Sequence, residues 1–204
     1  MTDTMASINA KDVAELRRRT GAGMMDCKKA LAESGGDFDK ATEWLRAHGT
    51  ARADKRAERS ATQGLVESYV HHSGNIGVLV EINCETDFVA RTDDFRQLAR
   101  DVAMHIAATA PLAVSADQLP AEVVERERRI YAEQVAQEGK PEAIRDKIVE
   151  GKLKKFYAES VLLDQPFVKD DSRTVGQVVK EVSGKTGEKV AVRRFVRYQL
   201  GEAV

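Results

Sequence analysis

Between Ile76 and Ala108 the hydrophobic period of the chain changes from 2 to about 3.6, and the change takes place across one polar stretch, NCETDFVAR at Asn83 to Arg91. Before it, Ile76 to Ile82 sets Ile, Val, Val and Ile on one side and Gly, Leu and Glu on the other, the pattern of a half-buried strand. After it, Phe95, Leu98, Ala99, Val102 and Ile106 fall on one helical face, which predicts a helix from about Asp93 to Ala108 that covers the sheet and is over by Pro111. The stretch must therefore hold a strand end, a loop and a helix start. Thr86 is expected at an N-cap position, with Asp87 and Phe88 projecting outward. Two readings of Phe88 stay open. At the tip of a polar turn it can anchor in a partner's pocket, and folded back it would staple the helix to the sheet.

The residues ahead of this switch predict three short helices. Asn9 is a candidate N-cap with Asp12 at N3, and Val13 and Leu16 begin an apolar stripe that ends in the Thr20 to Gly23 turn. The second helix starts at about Met24, with Met24, Cys27 and Leu31 on one face, and closes at Gly35 and Gly36. Asp37 caps the third, whose Phe38, Ala41, Trp44 and Leu45 form a core face. Adjacent Met24 and Met25 point about 100° apart on a helix, so one of them is expected to be exposed. It would offer a partner a soft contact, or else fill a gap in a small core. Thr50 to Thr62, with Arg52, Lys55, Arg56 and Arg59 among Ala, Asp and Glu, predicts a solvated helical linker; a basic patch for RNA is the sharper alternative.

Leu65 to Val70 and Ile76 to Ile82 flank His72 to Asn75, the signature of a β-hairpin. Farther on, Ala121 to Tyr157 predicts two charge-rich helices joined at Gly139, Lys140 and Pro141. The first carries Val124, Tyr131 and Val135, and the second carries Ile144, Ile148 and Phe156. Their narrow apolar seam suits an antiparallel hairpin that projects from the body. Gln165 to Val168 leads into a helix around Val175 to Ser183. A last strand, Lys189 to Tyr198, has its alternation muddied by Arg193, Arg194 and Arg197 and is placed at a sheet edge. The fold class expected is α+β, an antiparallel sheet core covered by helices with an inserted helical hairpin at about 121–160. Residues 1–55 form an N-terminal module and 56–204 the core.

Bulk charge gives no support to a phosphate-binding surface, because 32 basic and 33 acidic residues nearly cancel. No apolar N-terminal segment or long apolar run is present, so a cytoplasmic protein that makes no use of a membrane is expected. Cys27 and Cys84 lack metal or disulfide spacing, which makes reduced, buried thiols the default; a zinc site drawn from Cys27, Cys84, His71 and His72 fits the spacing poorly. TGAG and GNIG lack the Lys and Ser/Thr of a phosphate loop. Cys84 with His71 or His72 is a weak nucleophile pair that nothing supplies with an oxyanion hole. No catalytic residue, metal ligand or cofactor is assigned, and a binding protein is the class that remains.

Four segments then combine: VAELRRRTGAGMMDCKKAL at Val13 to Leu31, GVLVEINCETDFVAR at Gly77 to Arg91, MHIAA at Met104 to Ala108, and EGKLKKFYAESVLLDQPFV at Glu150 to Val168. Together they resemble the translation elongation factor Ts family across nearly the whole chain. The resemblance implies a guanine-nucleotide exchange factor, not an enzyme, that engages elongation factor Tu in GDP-bound and nucleotide-free forms. Thr86, Asp87, Phe88 and Val89 match the family stretch that dislodges magnesium from the partner, with Phe88 as a wedge and Asp87 beside the metal site. Arg17, Met24 and Met25 match the N-terminal module's contacts with the partner. No direct nucleic-acid contact is implied.

Long members of the family carry a second core half after the first. Here the TDFVAR loop is followed almost directly by MHIAA, as in short members, which implies a homodimer with the last strand's edge or the core helices at its seam. The N-terminal module also resembles ubiquitin-associated domains, and on that resemblance a polypeptide-binding adaptor is the alternative reading.

Overall fold

The computed structural model describes residues 8–202. Their elements are α1 (Ala10–Thr20), α2 (Met24–Glu33), α3 (Phe38–Lys55), β1 (Gln63–Val70), β2 (Ile76–Cys84), α4 (Asp87–Ala90) and α5 (Asp93–Thr109). A 3-10 turn (Ala116–Gln118) follows, then α6 (Ala121–Gln137), α7 (Glu142–Ser160), β3 (Pro166–Phe167), β4 (Asp170–Thr174), α8 (Val175–Thr186) and β5 (Ala191–Gln199). Helix and sheet are thus mixed in the α+β manner expected. The described residues divide into two units: 8–65, 82–98 and 179–191 in the first, and 66–81, 99–178 and 192–202 in the second. The chain passes from one to the other within β1, β2, α5, α8 and β5.

In the first unit, local capping sets the helix starts. The Asn9 side chain accepts the Asp12 N–H at 2.8 Å, and Asp37 accepts those of Asp39 and Lys40 at 2.9 and 3.0 Å. These bonds satisfy donors that have no partner within the helix. Val13, Leu16, Cys27, Ala30, Leu31 and Ala41 are buried together, with Phe38, Trp44 and Leu45 partly buried against them.

The linker meets expectation in part, being mostly exposed and helical as far as Lys55. α3 continues through Lys55, because Ala51 to Lys55 holds good helix formers and no breaker, and residues 56–59 are turns. It is also tied down: Lys180 Nζ lies 2.7 Å from Asp54, Arg56 Nη1 donates to the Ser183 carbonyl at 3.2 Å, and Lys189 Nζ donates to the Arg59 carbonyl at 2.8 Å. α3 and α8 approach closely at two glycines, where a Cβ on Gly184 would stand 3.0 Å from the Gly49 Cα.

In the second unit the β1–β2 turn is closed by the His71 N–H donating to the Ile76 carbonyl at 2.9 Å. The sheet order is β1-β2-β5, so β5 stands at an edge as expected. Its arginines have cross-strand or local partners. Arg193 and Arg194 reach Glu81 at 3.6 and 2.8 Å, and Arg197 reaches Glu202 at 3.2 Å. Ion pairing, of Arg197 at only 11% side-chain exposure as well as of the exposed Arg193 and Arg194, accounts for the broken alternation.

β3 and β4 pair antiparallel, Pro166 opposite Thr174 and Phe167 opposite Asp170. This ribbon is absent from the sequence reading because two residues carry no period. α6 and α7 pack as the expected hairpin, but the seam is Val135, Val149 and Leu153, supported by Tyr131, Ile148 and Tyr157. Ile144, expected there, is 43% exposed. One turn before Val149 the position facing the seam is Arg145, whose Nε donates to the Lys140 carbonyl at 2.8 Å. At the hairpin's base Val124, Phe156 and Tyr157 pack on buried Ala113, Leu119 and Val161.

Candidate functional site

The polar stretch after β2 folds into a single helical turn, α4, with Thr86 as its N-cap in extended conformation. The Thr86 hydroxyl accepts the Val89 N–H at 3.4 Å. The inner side of the turn is anchored, since Val89 and Ala90 are buried. Phe88 faces the other way and is 77% exposed, which excludes the folded-back reading in this structure. α5 begins immediately afterwards, with the Thr92 hydroxyl accepting the Phe95 N–H at 3.4 Å and donating to the Val89 carbonyl at 2.8 Å. Two capped helix starts in succession fix the path on both sides of the ring.

The backbone leading into α4 is held by groups from beyond α8. The Glu188 carboxylate accepts the Glu85 N–H at 3.1 Å, the Thr86 N–H at 2.9 Å and the Thr86 O–H at 2.7 Å. In return the Glu85 carboxylate accepts the Lys189 N–H at 2.6 Å and lies 3.3 Å from Arg59. Those contacts, the Lys189 N–H first, hold the Glu85 carboxyl below its usual range. Asp87 pairs with Arg91 at 2.6 Å along the turn. The buried Cys84 thiol donates to the Thr86 carbonyl at 3.1 Å, and burial, reinforced by the charge of Glu188, pushes its pKa up to about 11. A protonated thiol used as a donor is no nucleophile, so the Cys84 and histidine pair fails as chemistry.

Arg17 is exposed on α1. Met24 and Met25 are both exposed, at 49% and 73%, where one was expected to be buried. Gly23 is the N-cap of α2, so Met24 is its first residue. Side chains tilt toward a helix N-terminus, and Met24 therefore leans past the helix end instead of joining Cys27 and Leu31 in the core. Arg52 is engaged with Asp26 at 2.6 Å. Among the described residues no group of three or more His, Cys, Asp or Glu side chains gathers in a way that could hold a metal, and none of the helices is long and apolar enough to cross a membrane.

No local pattern marks Glu188, Glu85 or Lys189 as a brace for the turn. Thr86 and Glu188 stand 102 positions apart, and a carboxylate at the end of a helix gives no local sign of what it will hold.

In class this is an α+β protein whose distinctive surface element is an outward-facing aromatic ring on a capped, cross-braced turn. A family model described as elongation factor TS matches residues 39–202. Elongation factor Ts of Desulforamulus reducens is 59% identical over 200 residues, covering 98% of this chain and 92% of the relative. That of Anaeromyxobacter sp. is 57% identical, covering 98% and 91%, and that of Moorella thermoacetica 54% identical, covering 97% of each. The chain belongs to the elongation factor Ts family.

Proposed function

We propose that this protein is a guanine-nucleotide exchange factor for elongation factor Tu in translation elongation, working in the cytoplasm and catalysing no covalent change. The observation that carries the reading is the exposure of Phe88, 77%, on a turn whose other residues are buried or paired. Phe88 wedges into the partner's nucleotide-binding domain, and Thr86, Asp87 and Val89 form the rest of the surface that displaces its magnesium. Magnesium bridges the nucleotide's phosphates to a GTPase, so disturbing its ligands weakens nucleotide binding without touching the base.

The factor must bind nucleotide-free partner more tightly than loaded partner. Turning a mostly loaded population into a mostly empty one takes about 5.5 kcal/mol of differential affinity. One aromatic anchor supplies roughly 2–4 kcal/mol of that. The remainder falls to the N-terminal module, residues 1–55, through Arg17, Met24 and Met25, and to contacts of the 56–204 core. The module's three helices support a likeness to ubiquitin-associated domains, and exposure of both methionines supports their use as adaptable contacts.

The protein acts as a homodimer in this proposal. β5 stands at a sheet edge with Val196, Tyr198 and Leu200 exposed at its end, which supports that edge as the seam. Light scattering at micromolar concentration is expected to give twice the chain mass; a monomer would defeat the dimer.

The function is tested by release of labelled GDP from purified elongation factor Tu. Addition of the protein should accelerate release, and Phe88→Ala should lower the acceleration by about 30-fold or more while thermal stability is unchanged. Acceleration undiminished in Phe88→Ala would sink the wedge.

A further inference from the structure

An anchor has to be aimed, and α4 cannot aim itself. It has four residues, too few for a helix to be stable on its own hydrogen bonds. We infer that Glu188 is a positioning residue for Phe88, acting through Thr86; the inference rests on the exchange-factor reading above.

Three donors from two consecutive residues converge on this one carboxylate. The Glu85 and Thr86 amides share one oxygen, at 3.1 and 2.9 Å, and the Thr86 hydroxyl takes the other at 2.7 Å. Such bonds to an ionised acceptor are roughly twice as strong as neutral ones. The hydroxyl's part decides direction. Because Thr86 Oγ1 gives its proton to Glu188, its lone pairs are free to accept the Val89 N–H, and that bond is the cap of α4. Glu188 thereby sets the phase of the turn on which Phe88 sits.

Glu188 is held firmly enough to do this. α8 is followed by Gly187 at φ +77°, whose N–H donates to the Ser183 carbonyl at 3.1 Å, so the chain turns sharply before Glu188. The Ser183 hydroxyl donates to the Glu188 carbonyl at 2.5 Å. The reciprocal bond from the Lys189 N–H to the Glu85 carboxylate, 2.6 Å, crosses the same junction, so residues 85–86 and 188–189 cannot slip past one another without losing every one of these bonds.

The test measures GDP release from elongation factor Tu as a function of factor concentration, which separates the maximal rate from the half-saturating concentration. Glu188→Ala is expected to reduce the maximal rate about 10-fold, the scale of one lost charge-assisted bond. Half-saturation should change by less than about twofold, since the other contact surfaces are untouched. Glu188→Gln keeps the shape and one acceptor oxygen but replaces the other with an NH2 donor, and should lower the maximal rate by a smaller factor, about threefold. In a Phe88→Ala background Glu188→Ala should add less than about twofold, because a misaimed ring and an absent one are equivalent. Amide hydrogen exchange at Glu85 and Thr86 should quicken in Glu188→Ala while that of Leu16 and Leu31 stays as in the parent.

Loss of rate that multiplies with Phe88→Ala, or an unchanged maximal rate in Glu188→Ala, would overturn the positioning role while leaving the exchange reading standing. An unaffected Phe88→Ala single variant would overturn both the positioning role and the wedge. Should Glu188→Ala not fold, Glu188→Gln alone and in the Phe88→Ala background decides: loss of rate only where Phe88 is present supports the role, and equal loss in both refutes it.

Discussion

The Asp87 carboxylate at the start of α4 lies 2.6 Å from the guanidinium of Arg91, the residue that caps the helix's other end. An acid assigned to act beside a partner's metal is thus held, in the free protein, by a cation of its own. Both side chains are largely solvent-accessible, 48% and 71%, so the pair is screened and its hold is slight. Arg91→Ala is expected to cost less than about 0.5 kcal/mol of stability, and the loss should disappear in molar salt. Thermal melts of both proteins at low and high ionic strength check this; a loss of several degrees that persists in salt would contradict a surface pair.

Neither cysteine should behave as a reactive thiol. Burial pushes Cys27 up, and Cys84 is pushed up to about 11 by burial and the adjacent Glu188 charge. At pH 8 Cys84 is overwhelmingly the protonated thiol. Alkylation by iodoacetamide should be slow in the folded protein and rise sharply in denaturant. Rapid labelling of the native protein would show that the bond from Cys84 to the Thr86 carbonyl opens readily.

His105 gives the second unit a pH dependence with a defined sign. It is fully buried, its Nδ1 accepting the Val168 N–H at 3.2 Å and its Nε2 donating to Gln165 Oε1 at 2.9 Å. Burial lowers its pKa, against the opposing effect of the Gln165 bond. The unfolded chain therefore binds the proton first as pH falls, near the ordinary histidine value of about 6.5. This contribution is complete above that pH and is lost as pH drops through it toward the lower folded value. Between pH 7.5 and 5.5 the melting temperature of the parent should fall further than that of His105→Gln; equal falls would count against it.

Gly64 has no room for a side chain. Its φ is +146°, and a Cβ there would collide with the Ile82 carbonyl oxygen and stand 2.8 Å from the Asn83 Cα. The same crossing is bridged by Asn83 Nδ2 donating to the Gln63 carbonyl at 3.2 Å. Gly64→Ala should cost about 2–4 kcal/mol, since backbone must move on both strands. For a chain of this size that is a drop of roughly 5–15 °C in melting temperature. Differential scanning calorimetry reads it directly, and a change below 2 °C would contradict the close approach.

What the sequence by itself determined is what neighbours along the chain can enforce. The Asn9, Asp37 and Thr86 caps are bonds across two or three residues, so their residue types and spacing suffice to locate them. The α5 face and the β2 alternation are likewise repeats within one segment, and both hold in the burial of Phe95, Leu98, Val102 and Ile106 and of Val78, Val80 and Ile82. The outward aim of Phe88 was one of two readings that local pattern could not separate. Tertiary structure chose between them by burying Val89 and Ala90 on the opposite side of the turn and by bringing Glu188 to Thr86. It also uncovered Met24, moved the hairpin seam from Ile144 to Val149 and Leu153, and gave the arginines of β5 their acidic partners. Periodicity says which face of an element is apolar, but what a charged or end-of-helix side chain meets depends on elements a hundred residues away, and no local pattern carries that distance.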